Sequence, residues 1–515
     1  MANKSSDVLY QLIQSLTKAE KRSFKLYANR AQNNADLKFI TLFDILDKQK
    51  EYDEVAIFKK MPSLKKHQLS NLKAHLYRQV LTSLRLLEIT HNKDIEIREF
   101  LDYARVLYNK GLYVQSLKIL EKAKLMASKI NHMHLWAEIV EFEKLIESRF
   151  VTKSNPNRSE EITEESQHLN RITSEECDLS NLSLKLYGLY LKVGHSRNER
   201  DHIRTKEFFD SNLPDYDPEA LTFHGKLYLY QSYVWYHYIN QDFIMCYRYA
   251  QKWVDLFEEN PEMKLAEADM YMKGMHNLLA ALFNTSHHEK FVAVYQTFKE
   301  FTIQNESRFN LNESLLAFVY RYTNKINLHF MEGRFSDGTQ FVKEIEEGLN
   351  KYHNKLDDHR ILTTYYKIAC LYFGGGEYKM AIKYLNRIIN YQQTEIREDI
   401  QCFARILSLI AHFELGNDDL IEYQIKSVYR FLMKMEDIQL VQKEIFQFLK
   451  KTFYMERQAL IPAFVKLKER LVAIEKNEYE KRPFLYLDII SWLESKIENR
   501  PVQDIIREKF ERNRG

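Results

Sequence analysis

The sequence predicts an all-α protein built from antiparallel pairs of helices. Its 515 residues include only 13 glycines and 8 prolines, about 4% of the chain against a usual share of about 12%. Turns and bulges depend on these two residues, whereas helix interiors exclude them. Hydrophobic residues make up 45% of the chain. Because a single core stops growing near ~250–300 residues, a chain of this length must divide into domains or extend as a stack.

Residues 1–92 are expected to form a separate, basic helical region. They carry 16 Lys and Arg against 9 Asp and Glu, a net charge of +7, whereas the whole chain carries +3. The stretch from 52 to 87 predicts a short helix, a turn at Pro62 and Ser63, and a long helix from about residue 65. The basic residues that lie largely off the apolar stripe of the long helix are Lys65, Lys66, Lys73, Arg78 and Arg85.

Two interpretations of this basic helix stay open. A helix–turn–helix with a basic second helix could enter a DNA groove. Alternatively, the lysines form a solvated face on a capping bundle. The net charge is modest and no Arg-rich or aromatic cluster accompanies it, so nucleic acid is the less favoured partner.

Five short strings farther along the chain share one pattern. They are LYNKGLY (107–113), HYINQDF (237–243), HFMEGRF (329–335), YFGGGEY (372–378) and HFELGND (412–418). Each has an aromatic residue at its second place, and four have glycine at the fifth. Amphipathic segments with apolar residues at i, i+3/i+4 and i+7 flank every string, which predicts a helix on either side of a turn. A weaker unit is expected at 264–303.

The triplet Gly374–Gly375–Gly376 raises the question of a phosphate-binding loop. Such a loop follows a β-strand and has the form G-x-x-x-x-G-K-[ST]. Here the preceding residues have helical periodicity, and Gly376 is followed by Glu-Tyr-Lys. We therefore expect Gly376 to end one helix in the left-handed conformation and to start the next.

These strings and their flanks resemble the tetratricopeptide repeat. The matching residues of one unit are Tyr365, Ile368, Ala369, Tyr372, Gly376, Tyr378, Ala381, Leu385 and Ile388. The turn position recurs at 333, 376 and 416, so the units are longer than the 34 residues of the family. The resemblance implies a right-handed α-solenoid over residues 93–435. Residues 436–515 would then form helices that cap the stack, since an open end exposes an apolar face.

In this family the first helix of each pair lines a concave surface that binds a peptide or a partner helix. The resemblance implies the following candidate partner-binding residues: Tyr108, Trp235, Tyr238, Asn327, Phe330, Tyr366, Phe373 and Phe413. The alternative is that these aromatic residues pack between neighbouring helices. One family subtype grips terminal carboxylates with Lys and Asn at fixed positions of the first helix, and that pair is absent here.

No catalytic, cofactor or metal site is predicted. His132 with His134 and His287 with His288 could bind metal, but no companion ligands stand at suitable spacing. No nucleophile or metalloprotease pattern is present. Three further histidines recur at one place of the repeat, which favours packing or hydrogen bonding over catalysis. They are His237, His329 and His412.

The expected location is the cytoplasm. The four cysteines are scattered without a C-x-x-C pair, as in reduced proteins, and no run approaches the ~20 apolar residues of a membrane span. The sequence thus predicts a non-catalytic protein–protein interaction scaffold or adaptor. The alternative is a regulator with an N-terminal DNA- or partner-binding region and a peptide-sensing stack. The partner's identity is not readable from the sequence.

Overall fold

The structure, a computed structural model, is all-α. Its described residues are 7–30, 36–89, 92–149, 157–196, 198–352, 355–391, 398–432, 440–452, 455, 457–480 and 488–512. Over these residues 84% of the chain is helical and no strand occurs, which confirms the predicted class. The chain divides into two compact units, residues 1–173 and 174–515. The predicted domain limits at 92 and 435 concern repeat content rather than compactness, and they stay predictions.

The first unit begins with five helices around their own apolar core. They are α1 (Val8–Ser15), α2 (Lys18–Arg30), α3 (Asp36–Lys48), α4 (Glu54–Lys60) and α5 (Lys66–Glu88). The expected short helix, turn and long helix are therefore present as α4, residues 61–65 and α5. Leu69, Leu76 and Val80 of α5 are buried against Phe24 and Phe43, because their spacing places them on one face of the helix.

Three further helices and the start of a long one complete this unit. They are α6 (Lys93–Asn109), α7 (Tyr113–Lys129), α8 (Met133–Arg149) and α9 (Arg158–Val193), the last of which continues into the second unit. Helices α6 and α7 form a hairpin, and α7 also packs on α8. Ile97, Leu120 and Ile139 are buried in their shared core.

The second unit consists of helix pairs followed by C-terminal helices. The pairs involve α10 (Glu199–Asn212), α11 (Phe223–Ile239), α12 (Phe243–Glu259), α13 (Met263–Ala266), α14 (Ala268–Asn284), α15 (His288–Gln304), α16 (Leu311–Met331), α17 (Phe335–Thr339), α18 (Val342–Lys351), α19 (Asp358–Gly374), α20 (Tyr378–Ile389), α21 (Glu398–Glu414) and α22 (Asp418–Leu432). The C-terminal helices are α23 (Leu440–Thr452), α24 (Arg457–Glu475), α25 (Ile489–Glu498) and α26 (Val502–Arg512). Adjacent helices pack in pairs, and α12 on α14 and α20 on α21 join one pair to the next.

The hairpin turns share one backbone geometry. Gly376 has a φ of +80°, and the N–H of Glu377 donates to the carbonyl of Tyr372 at 2.8 Å. A left-handed residue followed by this bond is the usual glycine-based end of a helix. The predicted turning role of Gly376 is thus confirmed. The same left-handed conformation occurs at Gly111, Gly333 and Gly416.

Residues other than glycine occupy equivalent left-handed turns, among them Asn131, Gln241 and Ser286. Gln241 and Ser286 have φ values of 59° and 57°, and His287 N–H donates to the carbonyl of Leu282 at 3.0 Å. Ser286 belongs to the weaker unit expected at 264–303. The hairpin around Gly333 also departs from a simple pair, because its second helix is divided into α17 and α18.

The three recurring histidines hydrogen-bond or pack across the turns, as expected. The Nδ1 atom of His329 lies 3.1 Å from the carbonyl of Arg334, and that of His412 lies 3.1 Å from the amide of Asn417. His237 Nδ1 lies 3.5 Å from the Asp242 carboxylate. In each case the partner is five residues farther along the chain. Burial lowers the pKa of all three imidazoles, which favours their neutral form.

No helix among the described residues is both long and apolar enough to cross a bilayer.

Candidate partner-binding cavity

A cavity of about 520 Å³ lies within the second unit. Five phenylalanines dominate its walls, together with aliphatic residues and a few polar groups. These rings are Phe243, Phe283, Phe330, Phe335 and Phe373. We refer to this space as the phenylalanine cavity. Its volume falls within the ~300–1,000 Å³ of typical ligand pockets.

The helical repeat explains why these rings meet. Each of three phenylalanines stands three residues before the left-handed residue of its own turn. The pairs are Phe283 with Ser286, Phe330 with Gly333, and Phe373 with Gly376. Phe335 stands two residues after Gly333 and stacks on Phe330 with ring centroids 5.4 Å apart. Successive hairpins therefore present equivalent rings at the same end of their helices.

The last helices supply the opposite wall. Ile490 of α25 and Val502 and Ile506 of α26 line the cavity. Helix α26 is held against the turn at Gly333, where Gln503 Oε1 accepts a hydrogen bond of 2.9 Å from the Ser336 hydroxyl.

Glycine is required at position 333 for this close approach. A Cβ atom there would lie 2.6 Å from the backbone nitrogen of Arg507, which is well inside van der Waals contact. The Arg507 guanidinium also donates to the carbonyl of Gly333 at 3.4 Å. On the neighbouring hairpin, the rings of Phe510 and His288 lie 4.6 Å apart, edge to face.

One lysine lies beside two rings that line the phenylalanine cavity, and we call this place its cationic edge. The Lys367 ammonium is 5.8 Å from the ring centroid of Phe283 and 5.6 Å from that of Phe330. It donates a hydrogen bond of 2.5 Å to Asn327 Oδ1. Burial lowers the pKa of Lys367 to about 8, because desolvation penalises the charged form.

Neutral polar side chains surround this lysine on the inner side. His276 stacks on Tyr320 with ring centroids 4.1 Å apart. Burial, with smaller effects from Lys367 and Arg360, lowers the pKa of His276 to about 3. The Asn324 amide donates to the Tyr320 carbonyl at 2.8 Å. Its Oδ1 atom has no hydrogen-bond partner among the described residues.

The far side of the cavity is acidic. Asp488 and Glu475 line it together with Lys509. Lys509 forms an ion pair of 2.6 Å with Glu494, so its charge is compensated outside the cavity. Asp488 accepts from the Ser491 N–H at 2.9 Å and thereby caps α25. The cavity consequently has a cationic edge at Lys367 and an acidic edge at the last helices.

The structure brings together three of the eight sequence-predicted partner-binding residues. Phe330 and Phe373 line the cavity, and Asn327 holds Lys367. Tyr366 is only 3% exposed and belongs to the core.

The other four lie elsewhere. Tyr108 packs on Phe142 in the first unit, and Phe413 packs on Phe464. Trp235 and Tyr238 both contact Tyr190, with distances between ring centroids of 5.4 and 5.6 Å, respectively.

Phe243, Phe283, Phe335 and Lys367 are not among the sequence-predicted residues, and neither are those from the last helices. Phe243 and Phe335 end two of the repeated strings, where the pattern indicates only a turn. Phe283 stands at the same offset from its turn as Phe330 and Phe373, so aligning the left-handed position would have found it. Lys367 carries no such signal, because nothing in the sequence distinguishes it from other lysines in helices.

The predicted basic residues do not form one free patch. Lys65, Lys66 and Arg78 are exposed. Lys73 pairs with Asp7 at 2.9 Å and also bonds the hydroxyl of Tyr52. Arg85 lies 3.8 Å from the carboxylate of Asp102.

The candidate metal-binding histidines have other neighbours. His288 Nε2 lies 2.9 Å from Glu332, and His132 Nε2 lies 3.5 Å from Asp94. Across the part of the chain that the structure describes, no group of three or more potential ligands is placed to hold a metal ion.

No protein-family model matches the chain, and no curated protein matches it. The resemblance to the tetratricopeptide repeat rests on the strings of the sequence and stays a prediction.

Proposed function

We propose that this protein is a non-catalytic interaction scaffold of the tetratricopeptide-like type. In this proposal a peptide or partner helix binds on the inner surface of the stack and inserts apolar side chains into the phenylalanine cavity. The observation that carries the proposal is the meeting of repeat-equivalent rings from three successive hairpins around one space of about 520 Å³. Aromatic side chains give large contact area and dominate binding hot spots.

The size of the space supports binding over simple packing between helices. The space is partly open to solvent, and a concave, mostly apolar pocket of this size suits a ligand. Apolar side chains of a partner would contact Phe283, Phe330 and Phe373. Helices that insert apolar anchors into grooves, and extended peptides, both use this kind of surface.

Polar groups on the acidic side of the cavity have structural partners. Asp488 caps α25, and Lys509 pairs with Glu494.

Affinity capture from the native cell tests the proposal. The full chain serves as bait beside a variant combining Phe283→Ala and Phe330→Ala, and bound proteins are identified by mass spectrometry. We expect at least one protein to be captured by the parent and lost with the double variant. Ile244→Ala is the matched control, because Ile244 is 62% exposed and does not line the cavity. Equal capture by all three baits contradicts the proposal, provided that circular dichroism shows the same helix content.

The alternative is a regulator whose N-terminal region binds DNA. The exposure of Lys65, Lys66 and Arg78 favours it, whereas the pairing of Lys73 with Asp7 weakens it. Lys65→Glu combined with Lys66→Glu should abolish retention on DNA at low salt if this alternative holds. Retention that is absent, or unchanged in the variant, excludes it.

A further inference from the structure

We infer that the phenylalanine cavity selects peptides in which an Asp or Glu side chain lies within four positions of a large apolar residue, with Lys367 binding the carboxylate. This inference rests on the proposed function and specifies its partner. The apolar residue enters among the phenylalanine rings. The acidic residue stays at the cationic edge.

The position of Lys367 carries the inference. Its ammonium lies within 6 Å of the centroids of two rings that line the cavity, Phe283 and Phe330. A ligand group that contacts these rings on the side of Lys367 is therefore also within reach of the ammonium. On a helix, side chains at i and i+3 or i+4 stand ~5–6 Å apart, which matches this separation.

Lys367 has an acceptor but no counter-charge. Its hydrogen bond goes to the neutral amide oxygen of Asn327 at 2.5 Å. No carboxylate within the described residues pairs with it, and the nearby thiol of Cys370 is neutral because burial raises its pKa to about 12. A half-buried cation without a counter-ion is costly. A partner's carboxylate would supply that counter-ion and a charge-assisted hydrogen bond.

The hydrogen bond to Asn327 orients the ammonium. Lysine has three donors, so two N–H groups stay available after one is given to Asn327. The neighbouring His276 does not compete for an anion, since its imidazole is neutral at physiological pH. Asn327 is thus a positioning residue, and Lys367 is the contact.

The surroundings set the direction of the ligand. Arg360 adds positive charge on the side of His276, although it is itself paired with Asp357 at 2.8 Å. The acidic pair Asp488 and Glu475 lies on the wall formed by the last helices. A carboxylate is therefore attracted to the cationic edge at Lys367 rather than to that wall, so the acidic residue binds in one orientation.

Selection from a displayed peptide library tests this inference. The library consists of random peptides of about 12 residues fused through their C-termini to a coat protein, so that a terminal carboxylate plays no part. The full-length protein is the target at pH 7. We expect the selected peptides to share a large apolar residue with Asp or Glu within four positions.

Variants then assign the contact. Lys367→Met should select apolar peptides without the acidic residue, and Lys367→Arg should keep the acidic preference. Lys379→Met is the control for loss of charge, since Lys379 is exposed on α20. For a selected peptide, the acid-to-amide change should weaken binding to the parent about tenfold or more. The same change in the peptide should have little effect on binding to the Lys367→Met variant.

The outcomes separate the inference from the proposed function. Apolar peptides without an acidic preference would leave the scaffold proposal intact and overturn the role of Lys367. An acidic preference that persists in Lys367→Met would overturn it as well. If no selected peptide loses binding to the variant that combines Phe283→Ala and Phe330→Ala, both the inference and the proposed function are contradicted.

Discussion

At the scale of single residues, two hairpin turns differ in the backbone strain of their left-handed residue. Ser286 adopts a left-handed conformation with φ of 57°, which costs a residue with a Cβ roughly 1–2 kcal/mol more than glycine. Gly376 adopts the same conformation, and a Cβ there would meet nothing within 4 Å. These two turns therefore differ mainly in whether the residue suits its backbone.

We expect Ser286→Gly to raise the free energy of unfolding by about 0.5–1 kcal/mol, because glycine relieves the backbone strain. The gain is smaller than that strain, since glycine also increases the conformational entropy of the unfolded chain. Gly376→Ala should lower the free energy of unfolding by about 1 kcal/mol, for the converse reason. Urea unfolding followed by circular dichroism measures both. A loss of stability in Ser286→Gly would show that the serine side chain contributes more than its backbone costs.

The lowered pKa of Lys367 predicts that the stability of the protein depends on pH. Its pKa is about 8 in the folded protein against 10.5 ordinarily, so between these values the unfolded chain binds more protons than the folded one. Stability contributed by this residue therefore rises with pH across that window. The groups facing it do not titrate there, because Cys370 has a pKa raised to about 12 and His276 one lowered to about 3.

The comparison is between the parent and Lys367→Met at pH 7.5 and pH 10. The parent should gain stability relative to the variant at the higher pH, as measured by urea unfolding. Since other lysines and tyrosines titrate equally in both chains, the difference isolates Lys367. Parallel pH dependences would contradict the depressed pKa.

At the scale of elements, the contact between α26 and the turn at Gly333 can be broken selectively. Gly333 and Gly376 share the left-handed conformation, but only at 333 would a Cβ strike another helix, at 2.6 Å from Arg507 N. Gly333→Ala should therefore accelerate hydrogen exchange across Val502–Arg512, whereas Gly376→Ala should leave that helix protected. Equal protection in the two variants would show that α26 does not depend on this approach.

The same elements show what the sequence could and could not predict. The turns at Gly333, Gly376 and Gly416 were predictable because glycine favours the left-handed conformation and aromatic residues precede it at a fixed offset. The turn at Ser286 gave a weaker signal, because serine rarely adopts that conformation.

The cavity itself was not predictable. Its far wall comes from α26, and the bond from Ser336 to Gln503 joins residues 167 apart in the chain. Local periodicity carries no information about which distant helix covers a hairpin end. Repeat equivalence gives Phe330 and Phe373 the same position in their hairpins, but it holds only within the repeat.

At the scale of the whole molecule, neighbouring helix pairs share apolar faces within the second unit. Helix α16 contributes Leu315 and Ile326 to one core cluster and Ala317 and Tyr320 to the next. The first of these clusters continues into the C-terminal helices through Trp492. Stability in such arrangements depends on the interfaces between neighbours.

Trp492 tests whether the C-terminal helices are integral to this core. Its side chain is 0% exposed, and its indole N–H donates to Glu414 Oε1 at 2.7 Å. Trp492→Ala should destabilise the protein by about 3–5 kcal/mol, measured by urea unfolding. A loss below about 1 kcal/mol would indicate that the last helices are an independent appendage.

Site-specific photo-crosslinking tests the central claim most directly. A p-benzoylphenylalanine is placed at Phe283 in the full chain, which is irradiated in the extract of its native cell, with the same group at the exposed Ile244 as control. The account predicts a discrete adduct from position 283 alone, containing a peptide that carries an acidic residue close to a large apolar one. The absence of an adduct at 283, or the same adduct from both positions, would contradict a partner bound in the phenylalanine cavity.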